Sequence, residues 1–392
     1  MLENYQDINL QSFDIIVKSP GIPFNDKLLL KAQKENKLIV SDIELFAYFY
    51  PNAYIIAITG TNGKTTTTLM IQKLLSMKKK VLVAGNIGIP IFDLDRSKNF
   101  KDEIIVLECS SYMLACTYYF HPKVAVITNL YPNHLNNHGS LKHYIDSKLK
   151  ILQNLKEDDI LIYHESLANY EEIKNFLGQK IEVINDDQII YLKKYDLYYQ
   201  DQLLKKNFAK IYPGLHNILN LKMAIACSKI FKLSFNKIKE AVNNLDIPNF
   251  RLTKIYHQNN LIIYNDSKST NPLAFISAIE TLKSTNYKIY WIGGGKIRND
   301  DWSLLEESFK LIDQAYLYGE NKFEISSILT KLRIKHYLKN NLEEVISILP
   351  KHFEQPTCIL FSPASQSLDQ YLNYLERGEA FNKLIFKYYN DR

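Results

Sequence analysis

The stretch Ala53–Met77, AYIIAITGTNGKTTTTLMIQKLLSM, decides how the rest of the chain is read. Its opening, Ala53–Gly60, is a run of apolar and β-branched residues that reads as a strand feeding a loop. Its close carries Leu69, Ile71, Leu74 and Leu75, apolar positions of a helix. Between them Gly60, Thr61, Asn62 and Gly63 lead into Lys64, Thr65 and Thr66. A strand feeding a glycine-containing loop and then a helix is the setting that a phosphate loop requires. Glycine lets the backbone turn tightly and aim N–H groups at phosphate oxygens. The helix start adds partial positive charge. Lys64 is placed to reach β and γ phosphates, and the Thr65 hydroxyl to hold magnesium. The common form of this loop has a glycine where this chain has Ile58, so the strand here runs directly into Gly60.

Outward from this unit, strand and helix patterns alternate, which predicts an α/β fold on largely parallel sheets. Upstream, FDIIVKSPG (Phe13–Gly21), DKLLLKAQKEN and KLIVS read as strand, helix and strand. Downstream, KVLVAG, EIIVLE and KVAVITN read as strands, and GLHNILNLKMAIACSKIF as a helix with Leu219, Met223 and Ala226 on one face. Asp159–Tyr212 gives only short β-like runs. Pro248 interrupts NNLDIPNFR and marks a boundary. A last α/β unit follows, with strands NLIIYND, KIYWIGGG, QAYLYG and TCILFSP.

The 392 residues, 46% hydrophobic and 23% charged, suit a globular chain of two or three domains. No apolar run approaches the roughly 20 residues of a membrane span. The acidic, polar start MLENYQDINLQSF resembles neither a signal nor a transit peptide, so a cytoplasmic protein is expected. Cys109, Cys116, Cys227 and Cys358 are scattered without a C-x-x-C pair, which predicts buried free thiols rather than disulfides or a zinc site. The net charge of +6 is spread along the chain, against nucleic-acid binding.

Further polar groups cluster where strands end. Glu108 closes the apolar run EIIVLE, just before Ser111. A carboxylate at the carboxyl end of a parallel strand, near bound phosphates, suits magnesium. His134 and His138 follow KVAVIT, and Lys148 lies one turn after Tyr144 on the next helix. Asn217 and Asn220 share a helix face at i, i+3. Their amides fit an adenine edge or ribose, or equally a cap or core hydrogen bond. Asp266 and Lys268 end a strand in YNDSKSTNP, where Ser267, Ser269 and Thr270 also suit helix capping. GGGK (Gly293–Lys296) and FSPASQSLDQYLNYLERG (Phe361–Gly378) each follow a strand of the last unit. Together they put polar groups on one sheet edge, which suits a second substrate.

These motifs resemble the Mur ligase family, ATP-dependent amide-forming enzymes of cell-wall synthesis. GTNGKTT is similar to that family's own phosphate loop. SPGIP, GNIGIP, LECSSYML, GLHNILN, NDSKSTNP and SPASQSLDQY resemble its D-glutamate-adding branch, the last two being the discriminating pair. The resemblance runs from about Phe13 to the end. It implies three domains: a truncated N-terminal α/β domain for the UDP-sugar (1–45), a P-loop-type central ATPase domain (46–247) and a Rossmann-like C-terminal domain for the amino acid (248–392). It implies the cofactors ATP and magnesium, the substrates UDP-N-acetylmuramoyl-L-alanine and D-glutamate, and a monomer without nucleic-acid or membrane partners.

By residue, the resemblance implies that Lys64 and Thr65 hold ATP phosphates and magnesium, with Gly60, Thr61, Asn62, Gly63 and Thr66 completing the loop. It makes Glu108 and His134 magnesium ligands, and Lys148 a lysine that is carbamylated in the family. Asn217, Asn220, Arg251, Asp266 and Lys268 would contact ATP or its transferring phosphate. Ser19, Asn86 and Ser111 would meet the UDP-sugar substrate; Thr270, Lys296, Ser367 and Tyr374 would cradle D-glutamate. The last domain would close on the central one during the reaction.

Two departures stand out. The family's Asp-His-Leu-Asp-Arg-His appears here as Asn133-His134-Leu135-Asn136-Asn137-His138, with both carboxylates and the arginine replaced by amides. Only about a dozen residues precede FDIIVKSPG, so about half of the first domain is expected to be missing. Two other readings stay open: a Mur-type ligase with a different acceptor, and a nucleotide-binding member without catalysis.

Overall fold

The computed structural model describes residues 8–19, 22, 24–94, 99–131, 140–186, 188–212, 214–245, 250–282, 285–297 and 302–390. Contacts divide the chain into two compact units, Met1–Phe208 with His216–Leu245 and Ala209–Leu215 with Asp246–Arg392.

The first unit starts with β1 (Ile15–Val17) and β2 (Leu38–Val40), a parallel pair joined through the helix Lys27–Lys34. Asp26 caps that helix by accepting from the Leu28 and Leu29 N–H groups. Six parallel strands follow: β3 (Tyr54–Thr59), β4 (Lys80–Gly85), β5 (Glu103–Glu108), β6 (Val124–Ile127), β7 (Ile160–His164) and β8 (Gln179–Val183). Their spatial order is β4-β5-β3-β6-β7-β8. β5 and β6 are buried along their whole length, as their unbroken apolar runs predict for strands covered on both faces. The core joins Ile55, Ala57, Ile105, Leu107, Ala125 and Ile127. β3 lies between β5 and β6, so the ends of all three open onto the same edge.

The poorly patterned region after Asp159 holds β7, β8 and a small antiparallel sheet of β9 (Ile190–Lys193), β10 (Asp196–Tyr199) and β11 (Gln202–Lys205). The helix Leu215–Ile230 forms as its pattern predicts, but the face differs. Leu219 and Ala226 are only half-buried, while Asn217, Asn220, Leu221, Ala224 and Met223 are buried. Asn220 takes an inward position because its amide meets Gly63 and Thr67 of the phosphate loop and its helix.

The second unit is one six-stranded sheet: β12 (Thr253–Gln258), β13 (Leu261–Asn265), β14 (Lys288–Gly294), β15 (Gln314–Tyr318), β16 (Lys335–Leu338) and β17 (Thr357–Phe361). The order is β12-β13-β17-β14-β15-β16, with β12 alone antiparallel to its neighbour. β12 and β16 were not distinguished in the sequence pattern. Apolar clusters cover both faces, one built on Phe275, Ile279 and Phe309, the other on Val345, Phe381 and Ile385. β14 and β17 are neighbours, and the segments that follow them pack in different apolar clusters, Trp302 and Phe309 in one and Phe381 and Ile385 in the other.

All four cysteines are free and buried, as expected. Among the described residues, no helix is long and apolar enough to cross a membrane. His134 and His138 lie outside the described residues.

Candidate active site

The phosphate loop is built from backbone outward. Gly60 and Gly63 have φ of +147° and +83°, which side-chain-bearing residues rarely adopt. A Cβ on Gly60 would meet Thr128 Oγ1 at 1.9 Å, and one on Gly63 would meet Asn220 Oδ1 at 2.4 Å. The loop is braced by the residues after β6. Asn129 Oδ1 accepts from the Asn62 N–H at 2.9 Å, and its Nδ2 donates back to the Asn62 carbonyl at 3.1 Å. Thr128 Oγ1 donates to the same carbonyl at 2.6 Å. The Thr61 hydroxyl donates to the Tyr131 carbonyl and accepts the Tyr131 N–H. Thr128 and Asn129 were not among the expected site residues.

At the loop's end, Lys64 begins the helix Lys64–Leu75 and turns its Nζ back to the Gly60 and Thr61 carbonyls, both at 2.9 Å. Thr65 and Thr66 stand in the first turn, half-buried and buried. Asn220 accepts from Thr67 Oγ1 at 3.2 Å, while its Nδ2 is buried without a partner among the described residues. Asn217 is buried three residues earlier on the same helix.

Glu108 ends β5 beside the loop. Its Oε1 accepts from Asn86 Nδ2 at 2.8 Å, and its Oε2 is buried with no partner among the described residues. A buried carboxylate oxygen lacking a donor fits a cation. Asn86 is thus drawn to Glu108. Lys148, on the helix Leu141–Leu149, is buried and donates to the Gly60 carbonyl at 2.7 Å. Its ammonium lies 5.0 Å from the Tyr144 ring centroid. Burial first, and the Lys64 ammonium second, hold its pKa well below the ordinary lysine value. Among the described residues no three His, Cys, Asp or Glu side chains converge on a metal position. Ser111 is buried in the first turn of the helix Ser111–Ala115.

In the second unit, Asp266 follows β13. Its carboxylate accepts from the Leu252 N–H at 3.0 Å and from the Ser362 hydroxyl at 2.7 Å. Burial pushes its pKa up to about 7, against the opposing pull of those hydrogen bonds and of Arg251 and Arg377. Lys268 Nζ sits 3.8 Å over the Tyr374 ring. Lys296 Nζ donates to Glu320 at 2.8 Å, and its N–H to the Gln366 carbonyl. Ser367 is buried, and Thr270 half-buried.

Residues 58–228 match the Mur ligase middle domain. The UDP-N-acetylmuramoylalanine–D-glutamate ligase of Streptococcus uberis is 32% identical over 375 residues, covering 95% of this chain and 82% of that protein. The chain belongs to the Mur ligase family. The ligase of the same name from Hydrogenobaculum sp. is 35% identical over 403 residues, covering 98% of this chain and 91% of its own. Two solved structures share the fold. UDP-N-acetylmuramate-alanine ligase MurC of Thermotoga maritima superposes with a TM-score of 0.64 at 20% identity, covering 98% of this chain and 88% of that one. MurF ligase of Thermotoga maritima, in complex with ADP, gives 0.66 at 18%, covering 95% and 94%.

Within this Mur ligase chain the expected residues fall into two sets. Lys64 and Thr65 open the helix after the loop of the first unit, Lys148 and Asn220 reach it, Glu108 ends the neighbouring strand, and Asn217 is buried one turn before Asn220. Asp266, Lys268, Lys296, Ser367 and Tyr374 gather at strand ends of the second. Arg377, unforeseen from the sequence, ties the second set together. Its guanidinium is fully buried, donating to Ser267 Oγ at 3.1 Å, the Ser267 carbonyl at 2.7 Å and the Ser365 carbonyl at 2.9 Å. NDSKSTNP and SPASQS therefore share one side chain. Its placement in the sequence beside GEAF gave no local sign of burial.

Proposed function

We propose that this chain joins D-glutamate to UDP-N-acetylmuramoyl-L-alanine at the expense of ATP, in peptidoglycan precursor synthesis. The observation that carries this reading is the phosphate loop with Lys64, Lys148 and the unpartnered oxygen of Glu108 at adjoining strand ends. The names and coverage of the ligases reported above support the substrates, and ADP on the MurF ligase supports the nucleotide.

In this reading a carboxylate oxygen of the nucleotide-sugar attacks the γ phosphorus of ATP, and the bond to the ADP oxygen breaks. The product is an acyl phosphate. The D-glutamate amine then attacks the acyl carbon, loses a proton, and the C–O bond to phosphate breaks. Gly60, Thr61, Asn62, Gly63 and Thr66 line the phosphates, and Lys64 offsets their charge. Thr65, Glu108 and His134 would hold magnesium, which would further neutralise the phosphate oxygens. Lys148 fits a metal-binding role after carbamylation, because its depressed pKa favours the neutral amine that adds to carbon dioxide. Asn217, Asn220, Arg251, Asp266 and Lys268 serve ATP. Thr270, Lys296, Ser367 and Tyr374 serve D-glutamate, and Ser19, Asn86 and Ser111 the nucleotide-sugar. The division 1–45, 46–247 and 248–392 follows these three tasks.

Phosphate release by the purified protein tests the reading. It is expected only with ATP, the nucleotide-sugar and D-glutamate together, and it is abolished in Lys64→Ala. Release with another amino acid in place of D-glutamate would identify a different acceptor. ATP binding without release in any mixture would overturn catalysis.

A further inference from the structure

Lys18 is buried, with only 4% of its surface exposed. It follows β1, and its N–H extends the pairing with β2 by donating to the Val40 carbonyl at 2.8 Å. Its ammonium donates to the carbonyl of the adjacent Ser19 at 3.2 Å. Two rings flank it: Phe24, with the centroid at 4.6 Å, and Tyr112 at 5.7 Å. Phe24 also packs edge-on to His143 at 5.7 Å. Among the described residues no carboxylate pairs with this ammonium, and that is the first of its puzzles. Burial lowers its pKa, and Cys116 opposes the shift.

A buried ammonium with one backbone acceptor and two ring faces is incompletely compensated. Ring faces attract a cation but leave its remaining donor sites unused. Such a group is suited to an anion that arrives with a ligand. Its neighbours point to which one. Ser19 adjoins it in sequence, and Ser111 adjoins Tyr112; both belong to the side that the proposed function gives to the nucleotide-sugar. We propose that Lys18 binds an anionic group of the nucleotide-sugar substrate, with Phe24 and Tyr112 holding the ammonium in place. This rests on the substrate reading above.

Calorimetric titration of the intact protein tests it with three probes: UDP-N-acetylmuramoyl-L-alanine, UDP-N-acetylglucosamine, which has the diphosphate and no carboxylate, and ATP. Lys18→Met, which keeps the stem without the charge, is expected to weaken the muramoyl nucleotide about 10- to 100-fold, the range of a charged hydrogen bond. ATP affinity stays within about twofold, and Lys18→Arg recovers most of the loss. Equal loss with both sugars assigns the contact to the diphosphate; loss confined to the muramoyl compound assigns it to the carboxylate. Lys18→Gln carries the same test should Lys18→Met not fold. Unchanged binding in the uncharged variants overturns the proposal alone, as does Lys18→Arg binding as poorly as Lys18→Met, which would mark a purely structural clamp. A wild-type protein that binds ATP and neither sugar overturns the substrate reading with it.

Discussion

Lys64 and Lys148 both donate to the carbonyl of Gly60. Two like charges on one acceptor oppose each other, and burial together with the Lys64 ammonium holds the Lys148 pKa well below the ordinary lysine value. In the proposed reading Lys64 exchanges the Gly60 and Thr61 carbonyls for phosphate oxygens when nucleotide binds, so that reading requires its charge and not only its packing. Lys148→Ala is expected to lower turnover at least about 100-fold while ATP affinity changes far less. Steady-state phosphate release beside calorimetry separates the two; equal losses in both would place Lys148 in ATP binding alone. Asp266 carries a pH signature. Its folded pKa of about 7 exceeds the ordinary 3.8, so the folded state holds the proton more tightly than the unfolded chain. Its contribution to stability is full below the ordinary value and is lost as pH rises through about 7. Denaturant midpoints across that window should fall less steeply in Asp266→Asn than in the wild type. Identical slopes would show that the carboxyl is ionised throughout.

At the scale of elements, the loop and the strand ends depend on side chains far away in sequence. Gly63→Ala sets a Cβ 2.4 Å from Asn220 Oδ1 at a φ of +83°. The backbone strain alone is about 1–2 kcal/mol, and the Asn220 contact must shift as well. ATP affinity is expected to drop more than about tenfold in calorimetry, against an unchanged value if the loop can relax. Arg377→Ala removes donors from the Ser267 and Ser365 carbonyls inside the second unit. A loss of about 3 kcal/mol or more is expected in unfolding, with ATP titration checking that the first unit survives. The unbroken apolar runs made β3, β5, β13, β14, β15 and β17 legible, since strands covered on both faces need them. β12 and β16 were not, because their half-exposed TKIYHQ and KHYL mix polar and apolar residues without a steady period. The same logic divides the site. Gly60 to Thr66 carry their chemistry in consecutive residues, whereas Thr128, Asn129 and Arg377 acquire theirs only when distant strands meet.

Across the whole molecule, the four thiols report the integrity of both units. Cys109 and Cys116 lie in the first unit's early strand-and-helix region, Cys227 in the long helix and Cys358 in β17; all are buried. Burial raises each thiol, that of Cys227 to about 12. A thiol-specific chromogenic reagent should therefore react slowly with the native protein and with all four groups once it is unfolded. Rapid reaction of the native protein would contradict this packing. The order of the second sheet has a temporal consequence. β17 is the last of its strands in sequence yet lies between β13 and β14. During synthesis those two strands emerge long before the one that separates them, so their hydrogen-bonding edges await a partner that the ribosome has not yet made. The sheet closes from its middle, and a nascent chain stalled before Thr357 carries two exposed edges at the heart of its future core.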